Sequence, residues 1–152
     1  PMNREETWKR LVEIGIVYVK NSSKIWDLRG SDLSGVDLST VDLSGDNLQG
    51  AKLIGANLFG AKLIVIDLTR ANLFGANLNG ANLRKTDLRE SLMIKANLTS
   101  AILNGACIEN ANLSGWIIKN IVCTYIIEKT SSYRLIHFDT FDFEKRYAHI
   151  KR

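Results

Sequence analysis

The sequence predicts a repeat protein, and three observations carry that expectation. An apolar residue recurs at every fifth position from about Trp26 to Tyr125. It is Leu without a gap from Leu28 through Leu33, Leu38, Leu43, Leu48, Leu53 and onward to Leu88, and then Met93, Leu98, Leu103, Ile108, Leu113, Ile118 and Cys123. Two residues before this beat stands a small residue, most clearly Ala51, Ala56, Ala61, Ala71, Ala76 and Ala81. Asp or Asn directly precedes the beat, as at Asp32, Asn57 and Asn72, and Gly commonly follows two residues after it. A period of five matches neither the 3.6 of an amphipathic helix nor the 2.0 of an alternating strand. A fixed period held this long marks a repeat architecture.

The repeated motif A-(D/N)-L-x-x, as in Ala56-Asn57-Leu58-Phe59-Gly60 and Ala71-Asn72-Leu73-Phe74-Gly75, resembles the bacterial pentapeptide-repeat family. The resemblance runs in unbroken register over about two thirds of the chain. It implies an all-β solenoid, a right-handed quadrilateral parallel β-helix of about five coils, with one pentapeptide per face and four per coil. In that geometry the beat residues form an inward ladder, of which Leu28, Leu48, Leu53, Leu58, Leu73, Leu78, Leu98 and Leu113 are core rungs.

Elementary chemistry fits such a coil. The chain must turn every five residues, which Gly tolerates. Asp or Asn before the beat can hydrogen-bond nearby backbone and hold the corner. Only a small residue fits beside each inward Leu. Coils about 4.8 Å apart give a column roughly 24 Å tall. Such a stack is stabilised between nearest neighbours and needs a cap at each end.

Residues 1–24 are expected to form an N-terminal capping helix, with Pro1 before Met2 reading as a cloning scar. Asn3 followed by Glu6 resembles a capping pair. Trp8, Val12, Ile16 and Val19 share one face at helical spacing over a helix reaching about Asn21, although Gly15 weakens it by about 1 kcal/mol relative to Ala. The plain reading is a lid on the lower end of the solenoid. The alternative, a partner-binding or membrane-surface helix, is opposed on the membrane side by the mixed charge of the polar face.

Residues 25–125 form the repeat domain. Its first coil carries Asp27, Asp32, Asp37 and Asp42 at the outward position of all four faces, and with Asp46 has five acids against the one base Arg29. The repeats from Lys52 to Lys119 carry eight bases against four acids. Trp26, Asp46, Ile66, Thr86 and Ala106 fall in the small-residue column of one face, which makes Asp46 a partly buried carboxylate in need of partners. Its expected role is structural.

Outward apolar residues are the candidate binding site. Ile54, Phe74 and Ile94 follow the beat at intervals of twenty residues and would stand above one another, with Leu92 beside Ile94. Phe59 and Ile64 lie around the next corners. Exposed apolar columns mark contact sites more often than scattered residues do, although cross-strand ladder contacts alone could also favour them. The basic residues Arg84, Lys85, Arg89 and Lys95 would be spread over several faces and lack interleaved aromatics, so nucleic acid is not the expected partner.

Residues 126–152 are expected to form a C-terminal cap. Glu128 to Ser132 reads as a turn, Tyr133 to Phe138 as a short strand, and Phe141 to about Ile150 as a helix with Phe143, Tyr147 and Ile150 on one side. Cys123-Thr124-Tyr125-Ile126-Ile127 with Phe141-Asp142-Phe143-Glu144 is similar to the closing segment of many bacterial members of the family. In those relatives it often leads into further sequence, so an additional C-terminal domain is open, as is a homodimer.

No catalytic residue, metal site or cofactor is expected. His137 and His149 lie outside the repeat, no metal-ligand spacing appears, and no phosphate-loop motif occurs. The two cysteines make no disulfide framework, with Cys123 at an inward and Cys107 at an outward position. No stretch has the length of a transmembrane helix and no signal peptide is visible, so the expected setting is cytoplasmic. With 20 Lys+Arg against 16 Asp+Glu the chain is mildly basic. The expected function is a non-catalytic protein-interaction or scaffold module with an unidentified protein partner, regulatory or targeting. The alternative is inhibition or protection of a type II topoisomerase (gyrase) by DNA mimicry, as in the family's quinolone-resistance proteins. That alternative needs negative potential along the rod, and here the acids are confined to one end of a neutral repeat region.

Overall fold

The computed structural model describes residues 2–15, 25–129, 134–138 and 142–147. The residues before the beat pair in parallel with those twenty positions later, in four columns: Asp27–Asn47–Asp67–Asp87–Cys107, Asp32–Lys52–Asn72–Leu92–Asn112, Asp37–Asn57–Asn77–Asn97–Ile117 and Asp42–Lys62–Asn82–Ile102–Val122. Four pentapeptides therefore close one coil, and each column joins five coils. We call the faces first to fourth in that order. Each face is a single bridge and not an extended strand, because the chain turns again within five residues.

Backbone bookkeeping explains why the motif needs its residues. The beat N–H donates to the coil above, as Leu53 does to Asn72 O at 2.7 Å. The N–H two residues on does the same, as Gly55 does to Phe74 O at 2.8 Å. The N–H of the small residue closes the turn, as Ala56 does onto Leu53 O at 3.1 Å, and the N–H before the beat reaches the coil below, as Asn57 does to Val36 O at 3.0 Å. That leaves the N–H just after the beat, and the Asp or Asn Oδ1 two residues earlier accepts it: Phe59 from Asn57 at 3.1 Å, Phe74 from Asn72 at 3.1 Å, Asn79 from Asn77 at 3.0 Å. Every donor of such a pentapeptide is thus used, as burial of backbone demands.

The turn residue two after the beat has positive φ from Gly30 through Asn120, the mark of a type II turn. Glycine supplies it at Gly55 and Gly75 (φ 63° and 64°), but Val65, Arg70, Lys85, Glu90 and Lys95 adopt it as well, at φ 55° to 59°. For β-branched Val65 this is a strained conformation. The coil above holds it, through Val65 N–H to Arg84 O at 2.9 Å.

Leu28, Leu48, Leu53, Leu58, Leu73, Leu78, Leu98 and Leu113 are all buried, Leu113 being the most accessible at 8%. Ala51, Ala56, Ala71 and Ala76 sit fully buried beside them.

Helix α1, Arg4–Glu13, covers the lower end. Asn3 caps it reciprocally with Glu6, the side chain of each bonding the backbone N–H of the other. The helix is shorter than its apolar spacing suggested. It ends at Glu13 because Gly15 takes φ 78° beyond the C-cap Ile14, whereas a continuous helix to Asn21 was expected. Its buried face is Thr7, Trp8 and Leu11, while Val12 is 43% exposed. Ile16 and Val19 lie outside the described residues. Thr7 Oγ1 accepts from Asp42 N–H at 2.8 Å, Arg10 donates to Asp37 O, and Met2 N–H donates to Thr40 O, so the helix satisfies backbone groups of the first coil.

At the upper end β1, Tyr125–Glu128, pairs antiparallel with β2, Arg134–His137. β2 falls within the strand expected from the sequence, whereas Glu128, expected to open a turn, ends β1, a strand the repeat pattern does not announce. Ile127 N–H donates to Ala106 O, the same offset by which Asn47 N–H donates to Trp26 O, so β1 adds a sixth rung to the first face. Helix α2, Asp142–Tyr147, closes the top. Its Phe143 and Tyr147 meet Trp116 with ring centroids 6.1 and 6.3 Å apart, and Glu144 accepts Ile121 N–H at 2.8 Å. Ile150 and His149 lie outside the described residues.

Candidate interaction surface

Ile54, Phe74 and Ile94 stand on the second face in successive coils, in the position after the beat. Their carbonyls are held by Gly35, Gly55 and Gly75 N–H at 2.8, 2.8 and 2.9 Å, so backbone ladders fix the column. Leu92 lies beside it in the bridge column, its N–H on Ala71 O and its carbonyl accepting Leu73 N–H. Ile54, Phe74 and Leu92 are 40–41% exposed and Ile94 is half-buried. A patch of this kind needs no reorganisation before contact, which lowers the cost of binding. Phe59 is 49% exposed but stands on the third face, so the structure separates it from the other four. Val65, Ile117 and Val122 are also exposed. The repeat phase could have placed them outward, but they form no column across three coils.

Asp46 is buried and clasped. Arg4 donates to both its oxygens, at 2.6 and 3.0 Å, and Trp26 N–H donates at 2.9 Å. The guanidinium lies 3.7 Å over the Trp26 ring, which meets the Trp8 ring at a 45° tilt with centroids 4.8 Å apart. Burial pushes the Asp46 carboxyl above its usual value, against the pull of the Arg4 hydrogen bonds. Sequence reading found the carboxylate and missed its partner on α1.

On the first face Gln49, Thr69, Arg70, Arg89, Glu90 and Asn110 line an open polar groove of about 280 Å³. Its charges are paired among neighbours: Arg70 with Glu90 at 2.7 Å and Arg89 with Asp87 at 2.7 Å. Burial raises the Asp87 carboxyl, but hydrogen bonds from Arg89 outweigh it and hold the group below the usual range. The cluster Arg84, Lys85, Arg89 and Lys95 is accordingly not a patch. Arg84 and Lys85 belong to the fourth face, Arg89 to the first and Lys95 to the corner of the second.

Cys107 occupies an outward position yet is only 1% exposed, because β1 stacks above it. Burial pushes its thiol up and pushes that of Cys123 up to about 12, so both remain protonated. Both are free. His137 is exposed on β2, its ring 6.1 Å from Tyr125. Among the described residues no group of His, Cys, Asp and Glu is arranged to hold a metal, and no helix is long and apolar enough to cross a membrane.

Among solved structures the chain is similar to a pentapeptide repeat protein from the Arabidopsis thaliana thylakoid lumen, with 34% identity and a TM-score of 0.58, over 59% of this chain and 63% of that one. It is also similar to the pentapeptide repeat protein Rfr23 from the cyanobacterium Cyanothece 51142, at 37% identity and a TM-score of 0.34, over 58% of this chain and 64% of that one. The chain thus spans less than two thirds of either relative. QnrB1, a plasmid-mediated fluoroquinolone resistance protein, matches at 16% identity with a TM-score of 0.32, over 70% of this chain and 69% of that one. No curated protein matches the chain. The sequence profile of pentapeptide repeats matches residues 27–58, 51–89 and 76–115 in 8 copies, which is more than half of the chain. With the twenty-residue bridge register, the inward Leu ladder and the Asx-held corners all in place, this chain belongs to the pentapeptide-repeat family, whose fold is the right-handed quadrilateral β-helix.

Proposed function

We propose that the protein is a non-catalytic interaction module that presents the second face to a protein partner, in a regulatory or targeting role. The observation that supports this most is the column of Ile54, Phe74, Ile94 and Leu92, apolar and accessible on a backbone that is hydrogen-bonded on both sides. Apolar side chains gathered in a column mark a contact surface more often than scattered single residues do. A cytoplasmic setting belongs to the same proposal, although one similar protein comes from a thylakoid lumen.

DNA mimicry directed at a type II topoisomerase is the second reading, and one observation favours it, the ring of Asp27, Asp32, Asp37 and Asp42 in the first coil. Hydrogen bonds hold Asp27 at about 2 and Asp32 and Asp37 below the usual carboxylate range, so these three are ionised at neutral pH. Above it the charge reverses, with eight bases against four acids from Lys52 to Lys119. A duplex mimic needs negative potential along its length, so the interaction module is the stronger reading.

The test is capture from a lysate of the organism that carries the protein, with wild type and Phe74→Glu side by side. A protein retained by wild type and lost by the variant is the expected result. Capture of a topoisomerase subunit equally by both would favour DNA mimicry, and no specific capture would contradict the module.

A further inference from the structure

We infer that the occupant of the second face is an acidic amphipathic helix lying along the β-helix axis. This rests on the reading of that face as a contact surface and adds the chemistry of the partner. The first argument is spacing. Ile54, Phe74 and Ile94 stand on successive coils, so their side chains rise in steps of about 4.8 Å, to about 9.6 Å over the column. A helix presents same-side residues at i, i+3 or i+4, and i+7, which rise about 4.5–6 and about 10.5 Å. An extended segment repeats its side chains on one side every 6.6–6.8 Å or so, and falls out of step by the second rung.

The second argument is that the backbone offers nothing to a strand. Addition of a strand requires a free edge. On this face Leu53, Gly55, Leu73 and Gly75 N–H already donate to the coil above, at 2.7, 2.8, 2.7 and 2.9 Å. Only side chains remain for a partner, which is the condition under which an amphipathic helix docks by its apolar stripe.

Charge supplies the third. Lys52 stands in the bridge column next to Ile54, and Lys95 at the corner next to Ile94, on opposite sides and at opposite ends of the apolar column. Neither makes an ion pair among the described residues, whereas Arg70 on the adjoining corner is tied to Glu90. The one acid in the bridge column of this face, Asp32, lies a coil below Lys52; hydrogen bonds from Ser34 dominate its lowered pKa and the Lys52 charge adds to it without a direct ion pair. An apolar stripe flanked by cations that carry no direct ion pair among the described residues complements one flanked by carboxylates.

The experiment uses designed peptides of about 18 residues, or five turns. One carries a Leu stripe flanked by Glu, a second the same stripe flanked by Lys, and a third the Glu composition scrambled. Each is titrated into the isotope-labelled full chain and followed by amide shifts. The inference expects the Glu-stripe peptide alone to shift amides at 52–56, 72–76 and 92–96. It also expects Lys52→Glu with Lys95→Glu to weaken that peptide by about tenfold or more. Equal or tighter binding of the Lys-stripe peptide on the same amides would overturn the acidic partner while leaving the face a contact surface. Absence of shifts with every peptide would overturn the helical occupant, and Phe74-dependent capture would then still decide whether the face is a contact surface.

Discussion

Adjacent residues in one pentapeptide meet opposite environments. Leu73 is fully buried between Leu53 and Met93, so Leu73→Ala removes a ladder rung and should cost about 2–5 kcal/mol in urea denaturation. Phe74 is 41% exposed, and Phe74→Glu should change stability by no more than about 0.5 kcal/mol. Equal losses from the two would contradict the inward assignment of the beat. The residue before the beat sets the acid response. Asp27, Asp32 and Asp37 are held below the unfolded carboxylate value of about 3.9 by hydrogen bonds from the residue two positions on. A lowered folded pKa contributes stability above the unfolded value, which is lost as pH falls through the folded one. Asp46, raised by burial, contributes with the opposite sign and stays unchanged in the comparison. Changing Asp27, Asp32 and Asp37 together to Asn, the residue that holds the same N–H at Asn57 and Asn77, should flatten the fall of melting temperature between about pH 4 and 2. Identical slopes in variant and wild type would argue against it. Leu and Asx roles were legible because each repeat restates them. Positive φ at Val65 or Lys85 was not, since the turn geometry belongs to the coil and not to the residue that occupies it.

At the scale of elements, the caps show where sequence reading stops. The capping pair Asn3 and Glu6 is local and was readable, whereas the end of α1 depended on whether Gly15 merely weakened the helix or stopped it, and it stops it. The Arg4–Asp46 clasp joins residues 42 positions apart, and nothing in the local pattern of α1 singles out Arg4. Likewise β1 continues the first face while pairing sideways with β2, pairings set by the coil and the cap together and not by its own four residues. The clasp makes a definite prediction. Arg4→Ala leaves a buried carboxylate without its cation and should cost about 3–5 kcal/mol. Arg4→Met combined with Asp46→Ala, which restores the small residue of the repeat, should recover most of that loss and fall short of wild type by the bond that Trp26 N–H gives up, about 1–3 kcal/mol. If Arg4→Ala melted like wild type, α1 would be held by Trp8, Leu11 and the backbone bonds of Thr7 and Met2 alone.

Across the whole molecule, one column carries three surfaces: an acidic lower ring, a first face whose charges are paired internally, and a second face that keeps an apolar column with two lysines outside any direct ion pair among the described residues. The position of that column was legible as a twenty-residue interval once four repeats closed a coil. The same count put Phe59 around the next corner, and the structure keeps it there on the third face; that Lys52 and Lys95 carry no direct ion pair among the described residues needed side-chain geometry. The most direct measurement is the affinity of a captured partner for wild type, Phe74→Glu and Phe59→Glu, with melting temperatures taken on the same samples. The account predicts unchanged melting for all three, a loss of about tenfold or more in affinity for Phe74→Glu, and wild-type affinity for Phe59→Glu. Equal affinity for wild type and Phe74→Glu, or a loss confined to Phe59→Glu, would contradict the second face as the contact surface.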